Sequence, residues 1–388
     1  MKGTCQKTVL LLLVASLVGI GMLMIFSTST VPGREHHRDS YFLLKKQLLW
    51  IAVGLIFFWS GARVDYHFYR NKSRGLLLAG ALLLTAVLIP GVGREGGGAH
   101  RWLRIGGFGF QPSELVKYFL VIYLADLLAR RQKSLESFPA GFLPPLIVIG
   151  ILSGLVVLQP DLGTAISFVG VGLILLFAGG ARLFHLSALV IGLIPALALL
   201  IFRVGYRKQR ILAFLNPGGD PRGAGFQILQ SLIAIGSGGI SGLGLGESRQ
   251  KLFYLPAAHT DFIFSILGEE LGLFGSAAVV LLFIGILITG FFISRRAEDL
   301  FGSLLALGIT AMISLQAFVN VGVTCGILPT KGLPLPFVSY GGSNLVASFF
   351  AVGILFNIAS RQGEKSPAAR VNTDDSFSEI ALYERSVS

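Results

Sequence analysis

The sequence predicts an all-α integral membrane protein of about ten spanning helices, with one large loop between the seventh and the eighth. Three observations carry this. Of the 388 residues, 53% are hydrophobic and only 13% charged, and the mean hydropathy of +0.74 is far above that of a soluble domain. Apolar runs of bilayer length recur from one end of the chain to the other. Glycine is abundant, at 50 residues, as close helix packing in lipid favours.

The first apolar run, 8–27, follows Lys2 and Lys7. It is too long for a cleaved signal peptide, and the "STST" after it is a poor cleavage site. Cys5 precedes the run, so it is not the cysteine of a lipoprotein signal. The runs 47–62 and 75–90 come next and are short for a bilayer. Then follow 111–130, 142–158, 162–180 and 184–202, and after the loop 271–294, 301–324 and 341–360. Cys325 ends the ninth span, on the side opposite Cys5. Two such cysteines make neither a disulfide framework nor a metal site. No repeat at a fixed period is evident. Residues 1–361 read as a single polytopic domain, and 362–388, polar and of mixed charge, as a disordered tail.

An even number of spans puts both termini on one side. Lys2, Lys7, Arg63, Arg70, Lys72, Arg74, Arg130, Arg131, Lys133, Arg295 and Arg296 all fall there. The positive-inside rule makes that side cytoplasmic. The loop 203–260 is then extracytoplasmic and breaks the rule. It carries Arg203, Arg207, Lys208, Arg210, Arg222, Arg249 and Lys251 against Asp220 and Glu247. Long loops cross largely regardless of charge, so the topology stands. One reading of the cluster is a basic surface on anionic headgroups; the other is a site for a polyanionic ligand. Nucleic acid is excluded as a partner, because no soluble domain exists to hold it and the +12 charge is spread over both faces.

The Gly-rich run "GSGGISGLGLGES" (236–248) lacks the Lys-Ser/Thr of a phosphate loop, and no strand precedes it. Close-packed backbone is the better reading. Ionisable residues in spans are expensive, about 2.5–3.5 kcal/mol each, and rank as functional candidates. "QPSELVKYF" (111–119) sets Glu114 and Lys117 three apart on one helical face, where they neutralise each other as a structural pair. "QPDLGT" (159–164) sets Asp161 at a helix start, where the helix dipole favours an anion, again a structural role.

"KLFYLPAAHTDFIFSILGEELG" (251–272) is different, because it holds Asp261, Glu269 and Glu270 among Phe, Leu and Ile. Thr260 or Asp261 would cap a new helix, leaving Asp261 at the water–membrane boundary beside the basic loop. On a straight helix Glu269 lies about 80° and Glu270 about 180° round from Asp261. The three therefore cannot share one face. At most Asp261 and Glu269 cooperate, and Glu270 points toward another helix.

"RWLRIGGFGFQPSELVK" (101–117), "QPDLGT", "GFQILQSLIAIGSGG" (225–239), "QKLFYLPAAHTDFIFSILGEELG" (250–272) and "GILPTKGLPLPFVSYGGSN" (326–344) together resemble the SEDS family of bacterial shape, elongation, division and sporulation proteins. The likeness runs to about residue 360 and is nearest the division branch. It implies a multi-pass protein of the bacterial cytoplasmic membrane, both termini inside, at the division septum. The implied activity is an inverting peptidoglycan glycosyltransferase that polymerises lipid II and releases undecaprenyl pyrophosphate. The implied partners are a class B penicillin-binding protein transpeptidase and other division proteins. The family's essential aspartate falls on Asp261. Two residues depart from its pattern: Ala257 stands where Glu is usual, and Asn344 where Ser is.

The chemistry fits a single carboxylate. Joining a sugar hydroxyl to a sugar pyrophosphate needs one base, and the leaving pyrophosphate needs cations rather than an acid. Asp261 is assigned as the base. Arg207, Lys208, Arg210 and Lys251, with Arg101, His259, Ser339 and Ser343, are the candidate substrate-binding residues. Glu114, Lys117, Asp161, Glu269 and Glu270 are assigned supporting roles. A divalent cation, Mg2+ or Mn2+, is compatible with the clamp, and the sequence singles out no other cofactor. The rival readings are a lipid II flippase, which wants its charges near the midplane, and a non-catalytic division scaffold.

Overall fold

The computed structural model describes residues 2–37, 39, 41–95, 100–105, 108–219, 223, 225–252, 255–256 and 258–362. Asp220, Arg222, Ala257 and the tail from 363 onward lie outside them. Ten long helices answer to the ten apolar runs. They are α1 (Lys2–His37), α2 (Phe42–Arg63), α3 (Tyr66–Leu88), α4 (Pro112–Arg131), α5 (Leu143–Leu158), α6 (Leu162–Ala178) and α7 (Leu183–Phe202), then α10 (Ile263–Arg295), α11 (Leu300–Thr324) and α12 (Gly342–Ser360). Eight of these are long and apolar enough to cross a membrane on their own composition. The other two are α6, which is short, and α4, which carries Glu114, Lys117 and Asp126 and is buried on nearly every face. The protein is an all-helical, multi-pass membrane protein.

Four helices, α1, α2, α3 and α10, exceed the apolar runs that announce them, the last three for local reasons. α2 starts five residues early, with Lys45 and Lys46 in its first turns; the Lys46 ammonium lies 4.4 Å from the Phe42 ring centre, a snorkelling arrangement. α3 starts at a real cap, Asp65 accepting the His67 N–H, and its polar first turns hide it from hydropathy. α10 begins eight residues before the apolar run at 271, because its first two turns hold Glu269 and Glu270.

Between α4 and its preceding helix the chain forms three short antiparallel strands in the order β1 (Gly93–Glu95), β2 (His100–Ile105) and β3 (Phe108–Phe110). The apolar pattern gives no hint of this small sheet. The basic loop is not simply a loop either: it contains α8 (Gly205–Leu215) and α9 (Phe226–Gly238).

The Gly-rich run is close-packed backbone. α10 breaks at Gly272, whose φ of 65° and ψ of −159° suit only glycine. The break leaves carbonyls without helical partners, and the run supplies the donors. Leu243 N–H reaches the Glu269 carbonyl at 3.0 Å and Gly244 N–H that of Glu270 at 3.1 Å, while Leu273 N–H reaches the Gly239 carbonyl at 2.9 Å. Elsewhere α12 lies along α2, where added methyl groups at Gly61 and Gly353 would strike the facing backbone. α7 stands at the margin, with Leu186 its one buried residue.

Candidate active site

A cavity of about 720 Å³ opens where β2, the turn before α6, α8, the segment leading into α10 and the α11–α12 connection converge. Asp261 lies on its wall. The α10 helix starts only at Ile263, with Phe262 in the cap position, so Asp261 precedes the helix and caps nothing. Its segment is instead held by three successive carbonyls. That of His259 accepts the Tyr340 N–H at 2.9 Å, that of Thr260 the Ser339 hydroxyl at 2.6 Å, and that of Asp261 an Asn320 Nδ2–H at 2.8 Å. The backbone is fixed and the carboxylate is left over. Among the described residues it has no hydrogen bond and no ion pair.

Burial pushes the Asp261 carboxyl up to about 6, the nearby Asp161 adding to the rise, against Arg210 and Arg101, which pull it down. Desolvation outweighs the two cations. It remains largely ionised at neutral pH and is a stronger proton acceptor than an exposed aspartate.

The cavity gathers several of the expected residues. Arg207 and Arg210 reach it from α8, and Arg101 from β2. Arg101 donates to the carbonyls of Gln159 and Pro160 and comes within 4.0 Å of Asp161. Arg207 is braced by the Tyr206 hydroxyl at 3.1 Å and the Leu200 carbonyl at 3.2 Å. Ser343 is on the wall and accepts the Gln111 N–H at 3.0 Å. Asp161 also faces the cavity while capping α6, taking the Thr164 N–H at 3.1 Å and its hydroxyl at 2.9 Å.

Others are placed elsewhere. Lys208 is exposed and off the cavity wall. Lys251 is buried, with its ammonium 3.0 Å from Glu270 Oε1 and 3.0 Å from the Ser27 hydroxyl of α1. Glu270 thus points to another helix, as the wheel implied. Glu269 does not cooperate with Asp261: it accepts the Ser248 hydroxyl and, at 3.0 Å, the Arg249 N–H. The wheel treated as one straight helix a segment in which Asp261 is not helical. Ser339 acts through backbone, bracing Thr260 and accepting the Leu335 N–H at 2.7 Å. The His259 ring packs edge-on to Tyr340 at 5.9 Å, and burial pushes its imidazole below the usual range.

Glu114 and Lys117 form the expected pair at 2.6 Å. The ammonium also donates to Gln316 at 2.6 Å and Asn344 at 3.1 Å, tying α4 to α11 and α12. Two residues of the site escaped sequence reasoning. Asn320 bridges Asp261 to the Leu333 carbonyl, 2.7 Å from its amide. Lys331 lines the cavity. Its signal was a lysine enclosed by "LPT" and "GLPLP" between two spans, where a solvated surface lysine is out of place.

The sequence model of the cell cycle protein family FtsW/RodA/SpoVE matches residues 7–364. The chain belongs to this family. A relative from Geobacter metallireducens, named a probable peptidoglycan glycosyltransferase FtsW, is 44% identical over 353 residues, covering 91% of this chain and 94% of its own. The stage V sporulation protein E of Bacillus subtilis is 42% identical over 358 residues, 92% of this chain and 98% of its own. Among solved structures, a chain of a peptidoglycan synthase complex that coordinates polymerization and crosslinking superposes with a TM-score of 0.75 at 29% identity, covering 91% of this chain and 97% of that one. The rod shape determining protein RodA of Thermus thermophilus gives 0.67 at 28% identity, over 91% and 96%.

Proposed function

We propose that the protein is a peptidoglycan glycosyltransferase that polymerises lipid II into glycan strands and releases undecaprenyl pyrophosphate. One observation carries this reading: a half-buried carboxylate, Asp261, without a partner among the described residues, on the wall of a cavity whose other ionised side chains are mostly cations. The acceptor hydroxyl oxygen attacks the anomeric carbon of the donor from the face opposite its diphosphate. A C–O bond forms there, the bond to the diphosphate breaks with inversion, and the electron pair leaves on the diphosphate. Asp261 takes the hydroxyl proton. Arg101, Arg207 and Arg210 hold the cavity's positive charge, and cations placed in advance stabilise a leaving anion without reorganisation.

Among the described residues no three His, Cys, Asp or Glu side chains converge on a metal site. Mg2+ commonly binds through one or two carboxylates together with substrate phosphates. The residues therefore fit an Mg2+ or Mn2+ that would arrive with the diphosphate and be met by Asp161 on the cavity wall.

The distribution of Lys and Arg supports cytoplasmic termini, with the cavity toward the outer face of the bacterial cytoplasmic membrane. The family's description as a cell cycle protein, and a structural neighbour from a complex that coordinates polymerization and crosslinking, support our reading of a division role at the septum beside a crosslinking partner, a class B penicillin-binding protein, and other division proteins. The flippase reading leaned on Glu114 and Lys117, and these are engaged with each other and with α11 and α12. Purified protein with its transpeptidase partner should make glycan from lipid II, and Asp261→Asn, folded and partner-bound, should make about 10²–10⁴-fold less. Near-normal glycan from that variant would refute the assignment.

A further inference from the structure

The cavity's cations are not equivalent. Arg101 is committed to two carbonyls and sits by Asp161. Arg207 is committed to Tyr206 and Leu200. Arg210 and Arg101 are the positive charges that Asp261 feels. Arg210 is exposed over the Tyr206 ring; Lys331 shares its lack of a hydrogen-bonded or ionic side-chain partner among the described residues, but not that exposure. It is largely buried, and burial alone pushes its ammonium below the usual lysine range. A lysine buried without a counter-ion is unfavourable in the resting protein and is relieved by an anion.

Its placement is fixed by the backbone that follows it. The Leu333 N–H turns back onto the Lys331 carbonyl at 2.9 Å. Asn320 holds the Leu333 carbonyl at 2.7 Å, and Gln316 that of Pro334 at 2.9 Å. Gly332 lies against the base, since a methyl group there would come within 3.2 Å of Asp261 Oδ2. The Lys331 Cβ lies against the first turn of α6, where a methyl group on Gly163 would be 3.5 Å from it. One short turn thus sets its glycine against the base and the Cβ of its lysine against the start of α6, with both residues on the cavity wall. An inverting displacement needs that division. Base and leaving group lie on opposite sides of the anomeric carbon, so the leaving group's cation cannot also be the base's counter-ion.

We propose that Lys331 is the cation that meets the diphosphate leaving group, a role that rests on the polymerase reading above and singles out one residue within it. Arg210 and Arg101 then serve mainly to keep Asp261 ionised. The test uses purified full-length protein in detergent, with undecaprenyl diphosphate and undecaprenyl monophosphate as probes and inorganic pyrophosphate as competitor. Wild-type protein should bind the diphosphate more tightly than the monophosphate. Lys331→Met should weaken diphosphate binding about 10- to 100-fold, the loss of one charge-assisted contact, and monophosphate binding much less. Lys331→Arg should recover part of the difference. Because Lys331 has no partner to lose, Lys331→Met should melt no lower than wild type.

Wild-type discrimination between the two lipids in a folded Lys331→Met protein overturns the proposal. So does a variant that loses inorganic pyrophosphate alone, since that would make Lys331 a site for free anions. Absence of glycan synthesis by the wild-type protein would refute the polymerase reading, and the binding comparison would still decide whether Lys331 recognises a lipid diphosphate.

Discussion

The pH dependence of polymerisation tests the base most directly. Burial holds Asp261 at about 6. The carboxylate form is therefore about nine-tenths populated at pH 7, half at pH 6 and about one-tenth at pH 5. The rate constant kcat/KM should fall about tenfold for each unit below 6 and level off above 7. Arg210 is the largest influence pulling the group down, so Arg210→Gln should move the acid limb upward by about half a unit to one unit. Linkage gives a companion sign. The folded carboxyl sits above its unfolded value of 3.8, so the native state binds more protons between the two values. The ionised group then disfavours folding above pH 6, and this penalty is relieved as pH falls through 6 toward 4. Asp261→Asn should accordingly melt no lower than wild type at pH 7.5 while losing activity. The assay is initial polymerisation rate on fluorescent lipid II from pH 5 to 8.5, with the transpeptidase blocked and melting temperature followed in parallel. A flat profile through pH 6, or an acid limb that Arg210→Gln leaves in place or moves downward, would refute the reasoning.

Three other outcomes follow from the same geometry. Lys117→Met strands a buried Glu114 and should lower stability by about 3–5 kcal/mol; adding Glu114→Gln should recover part of it, and full stability of the single variant with lost activity would make Lys117 a substrate contact. An impermeant maleimide added to spheroplasts should spare Cys5, which is exposed at the start of α1; labelling from outside would reverse the proposed orientation. Chelation of divalent ions should depress glycan synthesis and Mg2+ or Mn2+ should restore it, whereas activity unchanged in chelator would remove the ion from the reaction.

The membrane helices were legible because the bilayer imposes one requirement on every spanning segment, and apolar runs satisfy it visibly. The limits of α2, α3 and α10 were missed where polar first turns carry a helix past its apolar stretch. Asp261 stood out as a carboxylate with no basic neighbour in its own turn. Lys251 could not be placed, since its partners are Glu270, 19 positions along, and Ser27, 224 positions away. Asn320 and Asp261, 59 apart, raise the same difficulty. Pairings of that span are properties of the folded bundle and leave no local pattern.

Those pairings also settle why three carboxylates crowd one stretch of chain. Glu269 gathers the donors of 248–250 and so pins the basic segment to α10. Glu270 neutralises Lys251 and draws in α1 through Ser27. Both are fully buried and both are answered by the protein. Among the described residues Asp261 is left unanswered, though Tyr340, Ser339 and Asn320 hold the carbonyls of 259, 260 and 261. A fold that supplies partners for two acids out of three, and spends three hydrogen bonds to hold the third without giving it one, has kept that carboxylate for a group the protein does not contain. The unpartnered Lys331 on the same cavity is its opposite in charge. A substrate that brings a hydroxyl proton to one and a diphosphate to the other completes both.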